Sequence, residues 1–276
     1  MDTRPIGVFD SGLGGLTAVK ELRRVLPGER ILFLGDTARV PYGTRNADTI
    51  RQYAREDMAF LLSRGVKYIV AACGTVSSNL SEAETDALPV PYTGVILPTA
   101  QAAAAATKNG VVGIIGTPAT VKSGSFVKAL QAIDPAITAV SQPCPLFVPL
   151  VESGYISRDC EVTRKVAEEY LAPIRQSGAD TLILGCTHYP IIRDIIADIM
   201  GSGVTLIDSG EQTARAVAAR LTQLQLLSGE ENAPCPTFYV SDKPDNFSAL
   251  AELFLGEPVS NHVHLAKLVP ADTQSQ

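Results

Sequence analysis

The 276-residue chain contains no apolar run approaching the roughly 20 residues that a membrane span requires. It has no excess of basic residues. The formal net charge is −6 and the sequence pI is about 5.2, so there is no broad electrostatic case for a nucleic-acid partner. Met1-Asp2-Thr3-Arg4-Pro5 leads straight into a strand with no signal-peptide apolar region. The five cysteines are scattered and odd in number, which argues against a disulfide framework. Both features point to a reducing, cytoplasmic setting. No two cysteines form a CxxC pair, and His188, His262 and His264 are not spaced with them as a zinc site, so no metal is expected. His262 and His264 share a strand face near the end of the chain, but without a third ligand nearby they read as structural. No pyridoxal-binding lysine motif is evident either.

What remains is an apolar, regularly punctuated chain. At 46% hydrophobic it can bury a large core, and its length allows one large or two medium domains. Ile6-Gly7-Val8-Phe9 reads as a first strand, Asp10 to Gly15 as a glycine-rich turn, and Leu16, Val19, Leu22, Val25 and Leu26 as a helix face. Ile31 to Leu34 forms a second strand, which makes a βαβ start. Gly12-x-Gly14 with Asp36 some way downstream imitates a dinucleotide fingerprint. Thr17 replaces the third glycine, however, and Asp10 puts an anion where a pyrophosphate would sit. An acid there better suits a ligand carrying an ammonium group.

The chain is organised around Asp180 to Pro190. Thr181-Leu182-Ile183-Leu184 reads as a buried strand, Gly185 allows close approach, and Cys186, Thr187 and His188 follow. Pro190 suits the first position of a helix, and Ile191, Ile192, Ile195, Ile196 and Ile199 recur at helical spacing. Cys186 is therefore expected at a helix N-terminus, whose positive end favours a thiolate. Tyr68 to Thr75, with Cys73, matches Thr181 to His188 as strand, small residue, thiol and small polar residues. Gly7 to Ser11 likewise matches Gly113 to Thr117. Two matched units suggest an internal duplication with its halves facing each other.

Other segments carry weaker signals. Val40-Pro41-Tyr42-Gly43 is a rigid turn that serves either packing or binding. Ser77 or Ser78 is a candidate helix cap. An alanine-rich helix runs from Ala100 to Ala106. Thr117 and Thr120 are candidate hydroxyl donors or caps of the helix that follows. Glu152 ends a proline-punctuated apolar run and by itself reads as a return to solvent. Cys144, Cys160 and Cys235 lack a comparable context and read as structural.

Four motifs together resemble glutamate racemases of the aspartate/glutamate racemase family: Gly7 to Thr17, Gly35 to Gly43, Cys144 to Glu152, and Leu184 to Pro190. The resemblance runs from about residue 6 to about 210. It implies an α/β fold of two similar domains, each a mostly parallel sheet flanked by helices, with the active site in the cleft between them. The second domain, 98–207, would be inserted in the first, 1–97 plus 208–276. The family enzymes work without a cofactor and supply D-glutamate for peptidoglycan. The resemblance maps the two catalytic thiols onto Cys73 and Cys186, with Asp10 beside the first and His188 beside the second. It assigns Asp10, Ser11, Pro41, Tyr42, Gly43, Gly74, Thr75, Thr117, Thr120, Glu152, Thr187 and His188 to the amino-acid ligand. The expected partners are a small-molecule substrate and a second copy of the chain in a homodimer, with no nucleic acid and no membrane.

The residues suit such chemistry. Inverting an α-carbon requires removing a proton from one face and returning one to the other. A thiol, with an ordinary pKa of about 8.5, can do either. One departure stands out: the family's first thiol is usually followed by Asn-Thr, whereas here it is followed by Gly74-Thr75. Read as a missing amide, this predicts that Gly74→Asn is tolerated and lowers KM for glutamate. The rival readings are a racemase for aspartate or a related diacid, and a binding protein without turnover.

Overall fold

The apolar runs form two separate parallel sheets. The computed structural model describes residues 1–243, 247–257, 259 and 263–268, so His262 lies outside the described residues. The chain begins with β1 (Ile6–Asp10), α1 (Leu16–Val25), β2 (Ile31–Gly35), a 3-10 turn at Tyr42–Thr44, and α2 (Ala47–Ser63). It continues with β3 (Tyr68–Ala71), α3 (Gly74–Ser77), α4 (Glu82–Asp86), β4 (Tyr92–Gly94) and α5 (Ile96–Ala106). Next come β5 (Val111–Gly116), α6 (Pro118–Ser123), α7 (Ser125–Ile133), β6 (Thr138–Pro143), α8 (Phe147–Glu152) and α9 (Glu161–Gln176). The remainder is β7 (Thr181–Leu184), a 3-10 turn at Tyr189–Ile192, α10 (Arg193–Met200), β8 (Thr205–Asp208), α11 (Ser209–Gln223), β9 (Thr237–Val240), α12 (Phe247–Leu255) and β10 (Val263–Leu265).

The first sheet has the order β10-β9-β2-β1-β3-β4 and the second the order β6-β5-β7-β8. All neighbouring strands are parallel. The run β2-β1-β3-β4 thus has the same order as β6-β5-β7-β8, with β1 matching β5 and β3 matching β7. That is the duplication read from the sequence, and the two thiol units occupy equivalent places. Both sheets are covered on both faces, as parallel sheets require. In β1, Ile6 and Val8 join the core formed with Leu16, Val19 and Leu22 of α1. Phe9 joins the opposite core, with Met58 and Leu61 of α2. In the second sheet, Val112, Ile114 and Ile183 pack with Ala100 and Ala103 of α5. Helix α11 packs against both α1 and α5 and so links the two halves.

A buried ion pair secures the return of the chain to the first sheet. Lys67, fully enclosed, reaches Glu29 at 2.6 Å and donates to the Asp2 and Leu226 carbonyls. Glu29 also accepts the Ser228 amide. Among the described residues no helix is long and apolar enough to cross a membrane.

Several local expectations change. The alanine-rich helix starts at Ile96 rather than Ala100. Neither Ser77 nor Ser78 caps a helix N-terminus. Ser77 is the last residue of α3, and Ser81 caps α4 through a reciprocal pair with Glu84. The helix expected at Pro190 is a 3-10 turn, and α10 begins only at Arg193. Cys186 therefore gains no α-helix end potential. At Cys73 the following helix is a single turn of four residues.

Candidate active site

The candidate side chains lie where strands of both sheets end, the usual ligand edge of parallel α/β sheets. Asp10 is the last residue of β1, Cys73 follows β3 by two residues, and Thr117, Cys144 and Cys186 follow β5, β6 and β7. A cavity of about 330 Å³ between the sheets is lined by both Cys73 and Cys186. Ser11, Pro41, Tyr42, Gly43, Gly74, Thr75, Thr117, Glu152, Thr187 and His188 line it too. Asp10 and Thr120 are not in the lining but stand directly behind it.

The two thiols are set up differently. Cys73 is 5% exposed, and its Sγ donates to Ser11 Oγ at 3.4 Å. Burial, followed by the nearby Asp10 charge, pushes its pKa up to about 12. Asp10 is fixed by the Gly15 amide on Oδ2 at 2.8 Å, while its buried Oδ1 has no hydrogen-bond partner among the described residues. That carboxylate oxygen is an unused acceptor close to Cys73, behind the cavity lining.

Cys186 is paired with an imidazole. His188 Nδ1 lies 3.8 Å from Cys186 Sγ and 3.4 Å from Thr187 Oγ1, and Nε2 meets Glu152 Oε1 at 2.9 Å. Burial works against a charged ring here, but Cys186 and Glu152 outweigh it and raise the pKa to about 10. The positive charge sought at a helix end is supplied by His188 instead. Glu152, alone unremarkable, thereby acquires a partner. Because the pKa is raised above its unfolded value, the imidazolium contributes stability that is present below pH 6.5 and lost as pH rises through about 10. Imidazole NMR should show His188 titrating near pH 10, and Glu152→Gln should move that midpoint to lower pH. A midpoint that stays unchanged in Glu152→Gln would separate the carboxylate from the ring.

Hydroxyls span the boundary between the halves. Thr75 Oγ1 lies 3.0 Å from Thr117 Oγ1 and 3.5 Å from Thr120 Oγ1, and Thr117 lies 3.0 Å from Thr120. Thr117 also caps α6 by accepting the Thr120 amide at 3.3 Å. The two alternatives for Thr117 are thus compatible.

The turn at Tyr42–Thr44 contributes backbone rather than ring. The Tyr42 side chain is 1% exposed and its hydroxyl meets Asp36 and Asp57. Cys144, read as structural, is fully buried in the core and also lines the same cavity as the other two thiols. Cys160 and Cys235 are outside the lining.

Some site residues carried no sequence signal. Thr17, which breaks the glycine pattern, places its hydroxyl 2.9 Å from the Gly14 carbonyl and 3.0 Å from the Thr187 carbonyl, joining the Gly14 and Thr187 loops. Phe254 of α12 meets the His188 ring edge-on at 5.2 Å. Gly14 gives the space in which Thr187 and His188 sit: a Cβ there would lie 2.5 Å from His188 Nδ1 and Cε1. Gly74 is equally constrained, since a Cβ would stand 2.5 Å from the Gly185 carbonyl oxygen. That atom is backbone, so Gly74→Asn requires one of the two loops to shift, which weighs against the expected tolerance. Glycine here is a matter of volume between two loops, not only of a missing amide.

Comparison with known proteins sets this geometry in context. Residues 15–217 match the model of the Asp/Glu/hydantoin racemase family. A glutamate racemase of Geobacter metallireducens is 44% identical over 256 residues, covering 93% of this chain and 94% of the relative. The crystal structure of a glutamate racemase isoform from Bacillus anthracis superposes with a TM-score of 0.92 at 36% identity, covering 97% of this chain and 99% of that one. The Francisella tularensis glutamate racemase, solved in complex with D-glutamate, gives 0.89 at 39% identity, with the same coverage.

Proposed function

The chain belongs to the Asp/Glu/hydantoin racemase family, and on that footing we propose that it is a cofactor-independent glutamate racemase working with two thiols. The observation that carries this reading is the pairing of Cys73 and Cys186, from different sheets, on one small cavity. Each thiol has its own proton partner: Ser11 and Asp10 on one side, His188 and Glu152 on the other.

In one direction Cys186 takes the α-proton and Cys73, held protonated, delivers one to the opposite face. In the other direction the roles exchange. His188 holds or moves the proton at Cys186 Sγ through Nδ1. The free Asp10 oxygen accepts from the substrate ammonium group or from Cys73. Carboxylates on the ligand find donors in the hydroxyls of Ser11, Thr75, Thr117 and Thr187 and in the backbone of the Pro41–Gly43 turn. The carbanion is stabilised by these preorganised donors in a cavity whose thiols are at most 8% exposed. Glutamate is favoured over a shorter diacid because the similar structure from Francisella holds D-glutamate.

The division into 1–97 plus 208–276 and 98–207 is supported by the strand membership of the two sheets. Supply of D-glutamate to peptidoglycan, a cytoplasmic setting and a homodimer rest on the family resemblance.

The test is solvent-deuterium incorporation with each enantiomer of glutamate. Early in the reaction deuterium should enter the product enantiomer and not the recovered substrate, because the thiol that delivers is not the one that removed. Binding without exchange would leave the binding-protein reading, and exchange confined to aspartate the diacid one. Gly74→Asn is expected to lower kcat/KM by about 10-fold or more, since forcing the two loops apart misplaces the thiols. Steady-state kinetics read this directly, and a lower KM would restore the missing-amide account.

A further inference from the structure

Beneath the Pro41–Thr44 turn lies a cluster of ionisable groups that the proton-transfer scheme does not use. Asp36 and Asp57 are fully buried and Glu56 nearly so. Among the described residues, one cation pairs with all three. Arg39 donates from Nε to Asp36, from one terminal nitrogen to Glu56, and from the other to Asp57 Oδ1 at 3.2 Å. The Tyr42 hydroxyl sits between Asp36 Oδ2 and Asp57 Oδ2, 3.1 Å from the latter.

Counting hydrogens decides what this cluster is. The phenol has one hydrogen but two carboxylate oxygens face it. Asp36 is well supplied, since Oδ1 also accepts Ser241 Oγ at 2.6 Å and Oδ2 accepts Arg39. Among the described residues, Asp57 has only the long contact to Arg39 besides the phenol. Ionised, it would put two acceptors against each other with no hydrogen between them, in a site closed to water. Burial and then the Asp36 charge push the Asp57 carboxyl well above the ordinary range, with Glu56 adding to the rise and Arg39 and Tyr42 opposing it.

We propose that Asp57, carried as the neutral acid, is a positioning residue for the ligand. It donates to the Tyr42 oxygen, whose own hydrogen goes to Asp36, and this relay fixes the turn whose backbone faces the cavity. The inference rests on the racemase reading for its effect on kinetics. The relay stands behind the binding turn and not beside the thiols, so its loss changes substrate affinity and leaves proton transfer largely intact.

Infrared spectra of protein labelled with carbon-13 aspartate test the protonation state without reference to activity. At neutral pH the wild type should show the shifted C=O stretch of a protonated aspartic acid, and Asp57→Asn should lack it. Absence of the band in wild type overturns the proposal, whatever the variant does. In kinetics, Asp57→Asn keeps a neutral donor and should hold KM within about 3-fold, whereas Tyr42→Phe breaks both bonds and should raise KM about 10-fold with kcat within about 3-fold. An Asp57→Asn enzyme as impaired in KM as Tyr42→Phe, or a Tyr42→Phe loss confined to kcat, also overturns it. Wild type that exchanges no α-proton would sink the racemase reading alone, and the infrared result would still decide Asp57.

Discussion

Cys73→Ala and Cys186→Ala should each lower kcat/KM for glutamate racemisation by about 10²–10⁴-fold, in both directions. Inversion needs a base on one face and an acid on the other, and in the proposed two-thiol scheme either change leaves one face without a proton carrier. The double variant should fall little further than the worse single one, because in that scheme the two thiols act as a unit. Each single variant keeps one base, so any residual α-proton exchange should be confined to one enantiomer, and to opposite enantiomers in the two variants. Deuterium incorporation followed separately for L- and D-glutamate reads this pattern. Comparable racemisation in either alanine variant would remove that thiol from the mechanism. A chain that has lost its circular dichroism would not count, but both sites are small side chains in otherwise complete cores.

Gly14→Ala should cost about 10² in kcat, from a residue that does no chemistry. The added methyl would occupy the position of the His188 ring edge and Thr187 Oγ1. The ring cannot yield without loss. It is held at Nδ1 by Cys186, at Nε2 by Glu152 and along its edge by Phe254. A shift of about 1 Å breaks the alignment on which proton transfer depends. Gly12→Ala is the matched control in the same turn. There a methyl meets only Val40 Cγ1 at 3.1 Å, on a side chain 45% exposed and able to move. Its kcat should stay within about 3-fold of wild type, since a contact with a mobile side chain is relieved cheaply. Steady-state kinetics and the His188 NMR titration together test the pair. Normal kcat with a normal titration in Gly14→Ala would show that the turn does not seat the imidazole.

The strand ends were legible because parallel strands buried on both faces read as short apolar runs, and β1, β3, β5 and β7 all do. The matched thiol units could be aligned because β3 and β7 occupy the same place in two similar sheets. β6 is not legible in the sequence: its residues are half-buried or exposed, and Thr138-Ala-Val-Ser-Gln-Pro offers no clear apolar run. The isoleucines after Pro190 give the periodicity of α10, but periodicity does not mark where an α-helix begins after a 3-10 turn. At Gly74 the sequence shows which side chain is missing, and only the fold shows that the Gly185 carbonyl fills the space. The contributions of Phe254 and Ser241 come from packing and hydrogen bonds over long sequence distances, which leave no motif.

The interruption of the first sheet has a consequence for biosynthesis. On the ribosome, β5 to β8 emerge consecutively, and the sheet they form is complete once Asp208 is free. The sheet bearing Asp10 and Cys73 waits longer, because the outer side of β2 pairs with β9, at Thr237–Val240. Until then β2 presents a row of unsatisfied N–H and C=O groups, a template for another nascent chain or a chaperone. An elongation pause between β8 and β9 would therefore hold the molecule with one half finished and the other still adhesive along that edge.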